Sequence, residues 1–298
     1  MEYQCGYIAV VGRPNVGKST LINRILGQKL NITSRKPQTT RHNLLGIKTE
    51  DSYQAMYVDT PGLHTSQTKA INRVMNRTAE SVVYDVDVLV FVVDALVWTD
   101  EDEHALSRLQ YAECPVILAI NKIDKVANKT ELLPFIEKLS AKRDFSDIVP
   151  IVAIKGTGIE QLETIIKGYL PEAPPFYDEE QLTDKSERFL VAEIVREKIM
   201  RQTGKEVPYS VTMEIESFVE DEKMITIHAL ILVERDSQKS IIIGKQGSRL
   251  KLVGSEARKD MEDLLGKKVL LKLWVRVKQN WSDDERALTS LGYGPENE

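Results

Sequence analysis

Nine residues near the start of the chain, GRPNVGKST, carry the densest chemistry in the sequence. Two glycines separated by four residues and followed by lysine and serine form the spacing of a loop that wraps a phosphate chain in backbone N–H groups. In such a loop Gly12, Arg13, Pro14, Asn15, Val16, Gly17, Lys18, Ser19 and Thr20 surround the phosphates. The Lys18 ammonium reaches the outermost ones, and the Ser19 hydroxyl ligates Mg²⁺. The device needs a strand before it and a helix after it. The apolar run 7–11 supplies the first and the amphipathic run 21–26 the second. That helix aims its N-terminal N–H groups and dipole at the anion. The loop alone does not separate an ATPase, a GTPase and a kinase.

Further candidates fall at the ends of other predicted strands. Run 53–58 leads into Asp59, Thr60, Pro61, Gly62 and Leu63. An acid at Asp59 holds Mg²⁺ through a water, and the Gly62 N–H senses a terminal phosphate. The run before it contains Gln38, Thr39, Thr40, Arg41 and His42, a threonine-rich segment in the place of a first switch. Thr40 is the expected metal-completing hydroxyl and Thr39 the alternative. Run 116–120 ends in Asn121-Lys122-Ile123-Asp124, which resembles the guanine-recognition motif of GTPases. The Asp124 carboxylate would accept from guanine N1–H and its exocyclic amine, whereas adenine leaves it poorly paired. Charge-assisted hydrogen bonds contribute roughly 1.5–3 kcal/mol each, so the motif selects GTP over ATP. After run 148–152, Ile151, Val152 and Ala153 stand where GTPases usually carry serine and alanine. The Ala153 N–H remains available for guanine O6, and Val152 lacks the hydroxyl.

The elements that must position these residues follow from periodicity. Strand-like runs at 7–11, 44–49, 53–58, 88–93, 116–120 and 148–152 alternate with helical patterns at 70–84, 101–111, 129–140 and 159–168. This predicts an α/β domain with a mostly parallel sheet, helices on both faces and one antiparallel hairpin. Ligands then bind beyond the carboxyl ends of the strands. The proline- and acid-rich stretch 171–186 reads as a linker, giving domains 1–170 and 187–298. The second is a small α+β unit: helix 187–203, strands 210–218 and 224–233, a helical piece, helix 248–265 and strand 269–277.

With 298 residues, 42% hydrophobic and 29% charged, the composition is that of a globular protein, and its net charge of −5 excludes a wholly basic nucleic-acid coat. Charge is unevenly placed, however. Residues 239–278 hold eleven Lys and Arg against four acids, a local +7 that favours a phosphate-binding surface. Within it, Ile243-Gly244-Lys245-Gln246-Gly247 leads into a long helix bearing Arg249 and Lys251, the clamp by which KH domains hold a nucleotide backbone. Cys5 and Cys114 lack metal or redox spacing and read as reduced thiols. The expectation is a cytoplasmic chain without signal peptide or membrane-spanning segment.

Taken together, GRPNVGKST, KPQTTRH, DTPGLH, NKID, IIIGKQGSRLK and the tail from Asn280 to Tyr293 resemble the Era GTPase family over essentially the whole chain. The resemblance implies a P-loop GTPase domain followed by a KH domain, with GTP or GDP and Mg²⁺ as ligands. It further implies binding to 16S ribosomal RNA near its 3′ end, help in small-subunit assembly and peripheral association with the inner membrane. No obligate protein partner is evident. In several related GTPases an asparagine at the position of Asn15 helps hold K⁺, so K⁺ is a further candidate ligand. Leu63 stands where Ras-like enzymes carry a water-orienting glutamine, and slow intrinsic hydrolysis is expected. The competing readings are a passive RNA-binding assembly factor with structural GTP, and a membrane-surface signalling GTPase whose basic face meets anionic lipid. A P-loop kinase would leave NKID without a purpose.

Overall fold

A computed structural model describes residues 3–34, 39–61, 70–71, 75, 85–204, 210–284 and 288–289. Contacts divide the chain into two units, Met1–Asn31 with Thr40–Gln67 and Met75–Asp184, and Ile32–Thr39 with Thr68–Val74 and Lys185–Glu298.

The first unit is built on a six-stranded sheet of order β2-β3-β1-β4-β5-β6. Its strands are β1 (Gln4–Val11), β2 (Leu44–Glu50), β3 (Tyr53–Asp59), β4 (Val88–Asp94), β5 (Val116–Asn121) and β6 (Asp147–Pro150). β2 pairs antiparallel with β3, and every other pairing is parallel. The central strands read as continuous apolar runs because both faces are covered. Ile8, Val10, Val90 and Val92 pack with Leu21, Ile22 and Ile25 of α1 (Lys18–Leu26) and Leu162 and Ile166 of α4 (Ile159–Tyr169). Ala9, Val11, Leu89 and Phe91 face the other way, onto Ala105 and Leu106 of α2 (Asp100–Arg108) and Leu139 of α3 (Leu132–Ser140). The predicted helices 101–111 and 129–140 each contain a tighter three-residue turn, Leu109–Tyr111 and Lys129–Glu131. Pro134 falls in the first turn of α3, where its missing N–H costs no helical bond. Of the predicted helix 70–84, only Ala70, Ile71 and Met75 are described.

Residues 171–184 run along this first unit. Cys5 N–H donates to Pro171 O at 3.0 Å and Ile47 N–H to Leu182 O at 2.9 Å. The buried Gln54 accepts from the N–H groups of Phe176 and Tyr177 at 2.8 and 3.0 Å. The physical reason is an apolar strip, Cys5, Leu45, Ile47, Met56 and Val58, on which Ala173 and Tyr177 pack.

The second unit carries a three-stranded sheet of order β7-β8-β9: β7 (Val211–Glu220), β8 (Met224–Val233) and β9 (Lys268–Val277). β7 is antiparallel to β8, β9 is parallel to it, and a bulge interrupts β7 between Ile215 and Ser217. Alternate residues of β8, from Ile225 to Val233, pack on Val191, Val195 and Ile199 of α5 (Glu187–Gln202) and Val253, Ala257 and Met261 of α7 (Ser248–Leu265). All these helix residues fall in one core, so the helices cover one face of the sheet. Between β8 and α7 lies the short α6 (Asp236–Ile243). No helix among the described residues is long and apolar enough to cross a membrane.

Candidate nucleotide and RNA sites

The phosphate loop joins β1 to α1, and its two glycines are required by geometry. Gly12 has φ +145°, and a Cβ there would stand 2.4 Å from Val92 O. Gly17 has φ +111°, and a Cβ there would meet Asn121 Nδ2 at 2.3 Å. Lys18 is buried, and its ammonium donates to Gly12 O at 2.9 Å and Arg13 O at 3.1 Å. Burial pushes its pKa down to about 8, against the nearby Asp59 charge. An ammonium so poorly solvated gains strongly from an anion placed beside it.

Ser19, Thr40 and Asp59, predicted from three separate motifs, converge. The Ser19 hydroxyl donates to Asp59 Oδ2 at 2.7 Å, Thr40 Oγ1 donates to the same oxygen at 3.1 Å, and the two hydroxyls are 3.1 Å apart. Asp59 is fully buried, which raises its pKa against the pull of Ser19, Lys18, Asn31 and Thr40. Its Oδ1 is buried with no hydrogen-bond partner among the described residues. Two hydroxyls and a carboxylate whose Oδ1 is buried form an all-oxygen donor set suited to Mg²⁺. Thr60 ties the end of β3 to β1 by donating to Val10 O at 2.9 Å. Sequence reasoning missed Asn31, whose amide donates to Asp59 Oδ2 at 2.5 Å. Asn23 sets that loop by accepting from the N–H groups of Leu30 and Asn31 at 3.0 and 2.8 Å. Gln38, Gly62 and Leu63 lie outside the described residues.

Asn121 ends β5 and joins three parts of the site. Its amide donates to Val16 O at 2.8 Å, and its oxygen accepts from Lys122 N–H at 2.8 Å and Ala153 N–H at 3.0 Å. Lys122, at φ +64°, donates to Asn15 O at 2.7 Å. Asp124 pairs with the exposed Lys155 at 2.9 Å, and that hydrogen bond lowers its pKa. Ile151 and Val152 are buried beyond the end of β6. Behind the loop lies a network that the motifs did not announce. Arg13 Nε donates to the buried Asp102 at 2.9 Å and its Nη2 to Asp94 at 3.2 Å, while Asp94 also pairs with Lys122 at 2.7 Å. Asp102 completes a capping box with Thr99 at the start of α2. Its position three residues after a threonine was the available signal.

In the second unit, Ile243 ends α6 and Gly244–Gly247 turn the chain into α7. Gly244 has φ +72°, and a Cβ would lie 2.8 Å from that of Arg249, so this glycine permits close packing. Gly247 has φ +77° but open space around it. The side chains of Lys245, Gln246 and Lys251 are exposed. The Arg249 guanidinium donates to Ile241 O, which gives it a structural task at the end of α6.

A family model described as a 50S ribosome-binding GTPase matches residues 7–122, and a KH domain model matches residues 206–282. GTPase Era of Pseudomonas aeruginosa is 60% identical over 98% of this chain and 95% of its own length. GTPase Era of Pseudomonas syringae pv. tomato is 61% identical over 98% and 97%. Among solved structures, a variant of Aquifex aeolicus Era bound to GDP and AlF₄⁻ superposes with a TM-score of 0.94 at 39% identity, over 98% of this chain and 99% of that one. Era in complex with MgGDPNP and nucleotides 1506–1542 of 16S ribosomal RNA gives 0.95 at 39% identity, with the same coverage. A phosphate loop, a guanine motif and a KH clamp in one chain, matched end to end by these relatives, place this protein in the Era family of GTPases.

Proposed function

We propose that the chain is a slow GTP-hydrolysing switch that binds 16S ribosomal RNA near its 3′ end and assists assembly of the small ribosomal subunit. The observation that carries it is the convergence of Ser19, Thr40 and Asp59 within one chain that also bears the Gly244–Gly247 clamp. The family model's description names the large subunit, whereas the Era structure similar over 98% of this chain holds nucleotides 1506–1542 of 16S ribosomal RNA, which supports the small-subunit reading.

In this reading Gly12–Thr20 wrap the triphosphate, and Lys18 exchanges its two carbonyl partners for phosphate oxygens. Ser19, Thr40 and, through a water, Asp59 would hold Mg²⁺, and the ion would supply charge neutralisation of the β- and γ-phosphates. Asp124 exchanges Lys155 for the guanine N1–H and amine, with Asn121, Lys122, Ile151, Val152 and Ala153 shaping the base site. Gln38–His42 form the first switch, and Asp59–Leu63 the second. Thr40 follows Thr39 by one peptide bond. Within the second unit, Arg196 of α5 donates to Thr39 O. Nucleotide control of RNA binding belongs to this reading, because a switch threonine such as Thr40 completes the metal shell only while the γ-phosphate is present.

The test is Gly247→Asp with Gly244→Ala as comparison, using RNA of nucleotides 1506–1542. Gly247→Asp should abolish RNA binding and any RNA-dependent change in turnover while keeping GTP affinity, with a small fall in the thermal melt because its φ of +77° strains a non-glycine residue. Gly244→Ala should lower the melt. Retained RNA binding in Gly247→Asp removes the clamp assignment.

A further inference from the structure

On the face of the β7-β8-β9 sheet opposite the helices, Leu230 and Leu232 of β8 are buried, and the accessible part runs along β9 with Thr226 and Val219 beside it. Residues alternate along β9, with Val269, Leu271, Leu273 and Val275 packed against the helix-facing core. The opposite positions, Lys268, Leu270, Lys272, Trp274 and Arg276, are all exposed. Leu270 is 42% and Trp274 44% accessible, large apolar groups for a surface with no assigned task. Strand register extends the patch: Val219, 58% accessible, is level with Thr226, and Thr226 with Leu270. His228 is level with Lys272, and its ring packs edge-on to Trp274 at 5.3 Å between centroids.

Charge narrows the choice of occupant. The three cations recur at every fourth residue of β9, about 13 Å apart along the strand. Lys272 has no ion-pair partner among the described residues. Lys268 reaches Glu262 only at 3.7 Å and Arg276 reaches Glu216 only at 3.8 Å, with both cations well exposed. The acids of this face, Glu214 and Glu216, lie on β7, so the basic strip is confined to β9. Lysines on an edge strand also discourage strand pairing, but that purpose is poorly served by an exposed tryptophan and leucine between them. A cationic track interleaved with an aromatic ring is the pattern on which single strands lay phosphates and stack bases.

We propose that this sheet face, centred on Trp274 and Lys272, is a second RNA-contacting surface that takes single-stranded RNA by stacking on Trp274 and pairing phosphates with Lys268, Lys272 and Arg276. The inference rests on the RNA-binding reading above. It places contacts on both sides of the KH unit, the Gly244–Gly247 clamp on the helical side and Trp274 on the other.

The experiment uses the full chain and two RNAs, nucleotides 1506–1542 of 16S ribosomal RNA and the same RNA with 4-thiouridine for uridine. Trp274→Ala should weaken binding roughly tenfold, the usual scale for loss of one stacked base. Trp274→Phe should restore most of it, with unchanged melts for both. Lys272→Glu should weaken binding and flatten its salt dependence. Photocrosslinks should map to residues 268–276. Full affinity in Trp274→Ala and Lys272→Glu, with crosslinks confined to 243–251, would overturn the proposal while leaving the clamp intact. A concentration-dependent dimer in sedimentation that Trp274→Ala abolishes, without loss of RNA affinity, would assign the face to a second copy and overturn it equally. If the unmodified protein binds neither RNA, the underlying reading fails and this one with it.

Discussion

Asp102→Asn tests whether the phosphate loop is held from behind. In the native protein Asp102 Oδ2 accepts from Arg13 Nε at 2.9 Å, Thr99 N–H at 2.9 Å and Thr99 Oγ1 at 2.8 Å. An asparagine oxygen in that place keeps the three contacts but loses the charge. Losing the carboxylate charge opposite the Arg13 guanidinium costs about 1–1.5 kcal/mol. The new amide group takes the position of Oδ1, which is buried with no hydrogen-bond partner among the described residues, and an unpaired buried donor costs about 1–3 kcal/mol. The unit should therefore lose roughly 2–4 kcal/mol of stability by these two terms. Arg13 lies in the loop itself, and its carbonyl receives Lys18 at 3.1 Å. A loosened Arg13 must be re-ordered on binding, so part of the loss appears as affinity, about tenfold in GTP Kd for each 1.4 kcal/mol transmitted. The assay is GTP titration with a parallel urea melt of Asp102→Asn, Arg13→Ala and the double variant. The double variant should bind GTP no more weakly than Arg13→Ala alone, because one interaction is removed twice. Thr99→Ala is the control: it removes half of the capping box, costs about 1 kcal/mol of stability and spares GTP affinity. Normal GTP affinity in a destabilised Asp102→Asn would refute the argument and leave Asp102 as a helix cap alone.

Two further outcomes follow from the nucleotide site. Asp124→Asn should lose GTP and gain xanthosine triphosphate, because an amide donates to the xanthine O2 that a carboxylate repels; equal GTP affinity in titrations of both proteins would remove Asp124 as the base reader. Hydrolysis should run faster in K⁺ than in Na⁺ at equal ionic strength if an ion beside Asn15 offsets charge developing at the β–γ bridge, and equal steady-state rates would end that assignment.

The sequence by itself determined the local chemistry of this protein. GRPNVGKST, NKID and IIIGKQG are short-range patterns whose glycines, lysines and carboxylates act through backbone conformation and spacing within a few residues. The order of strands and helices was equally legible, since burial on both faces of a parallel sheet writes continuous apolar runs and leaves amphipathic helices between them. What only the tertiary structure decided were meetings between residues distant in the chain. Arg13 finds Asp102 and Asp94, Asn31 reaches Asp59, and Asp124 meets Lys155, each across many intervening residues. The proline-rich stretch 171–186 reads as a linker for want of periodicity, and within it Ala173 and Tyr177 cover an apolar strip on β1–β3 that no local pattern reveals. The exposed row on β9 likewise depends on strand register, which sets Lys272 beside His228 and Leu270 beside Thr226. Periodicity fixes which residues share a face of one strand. Only long-range pairing, whose loop-closure cost is repaid by burial elsewhere, fixes which faces meet and which stay open.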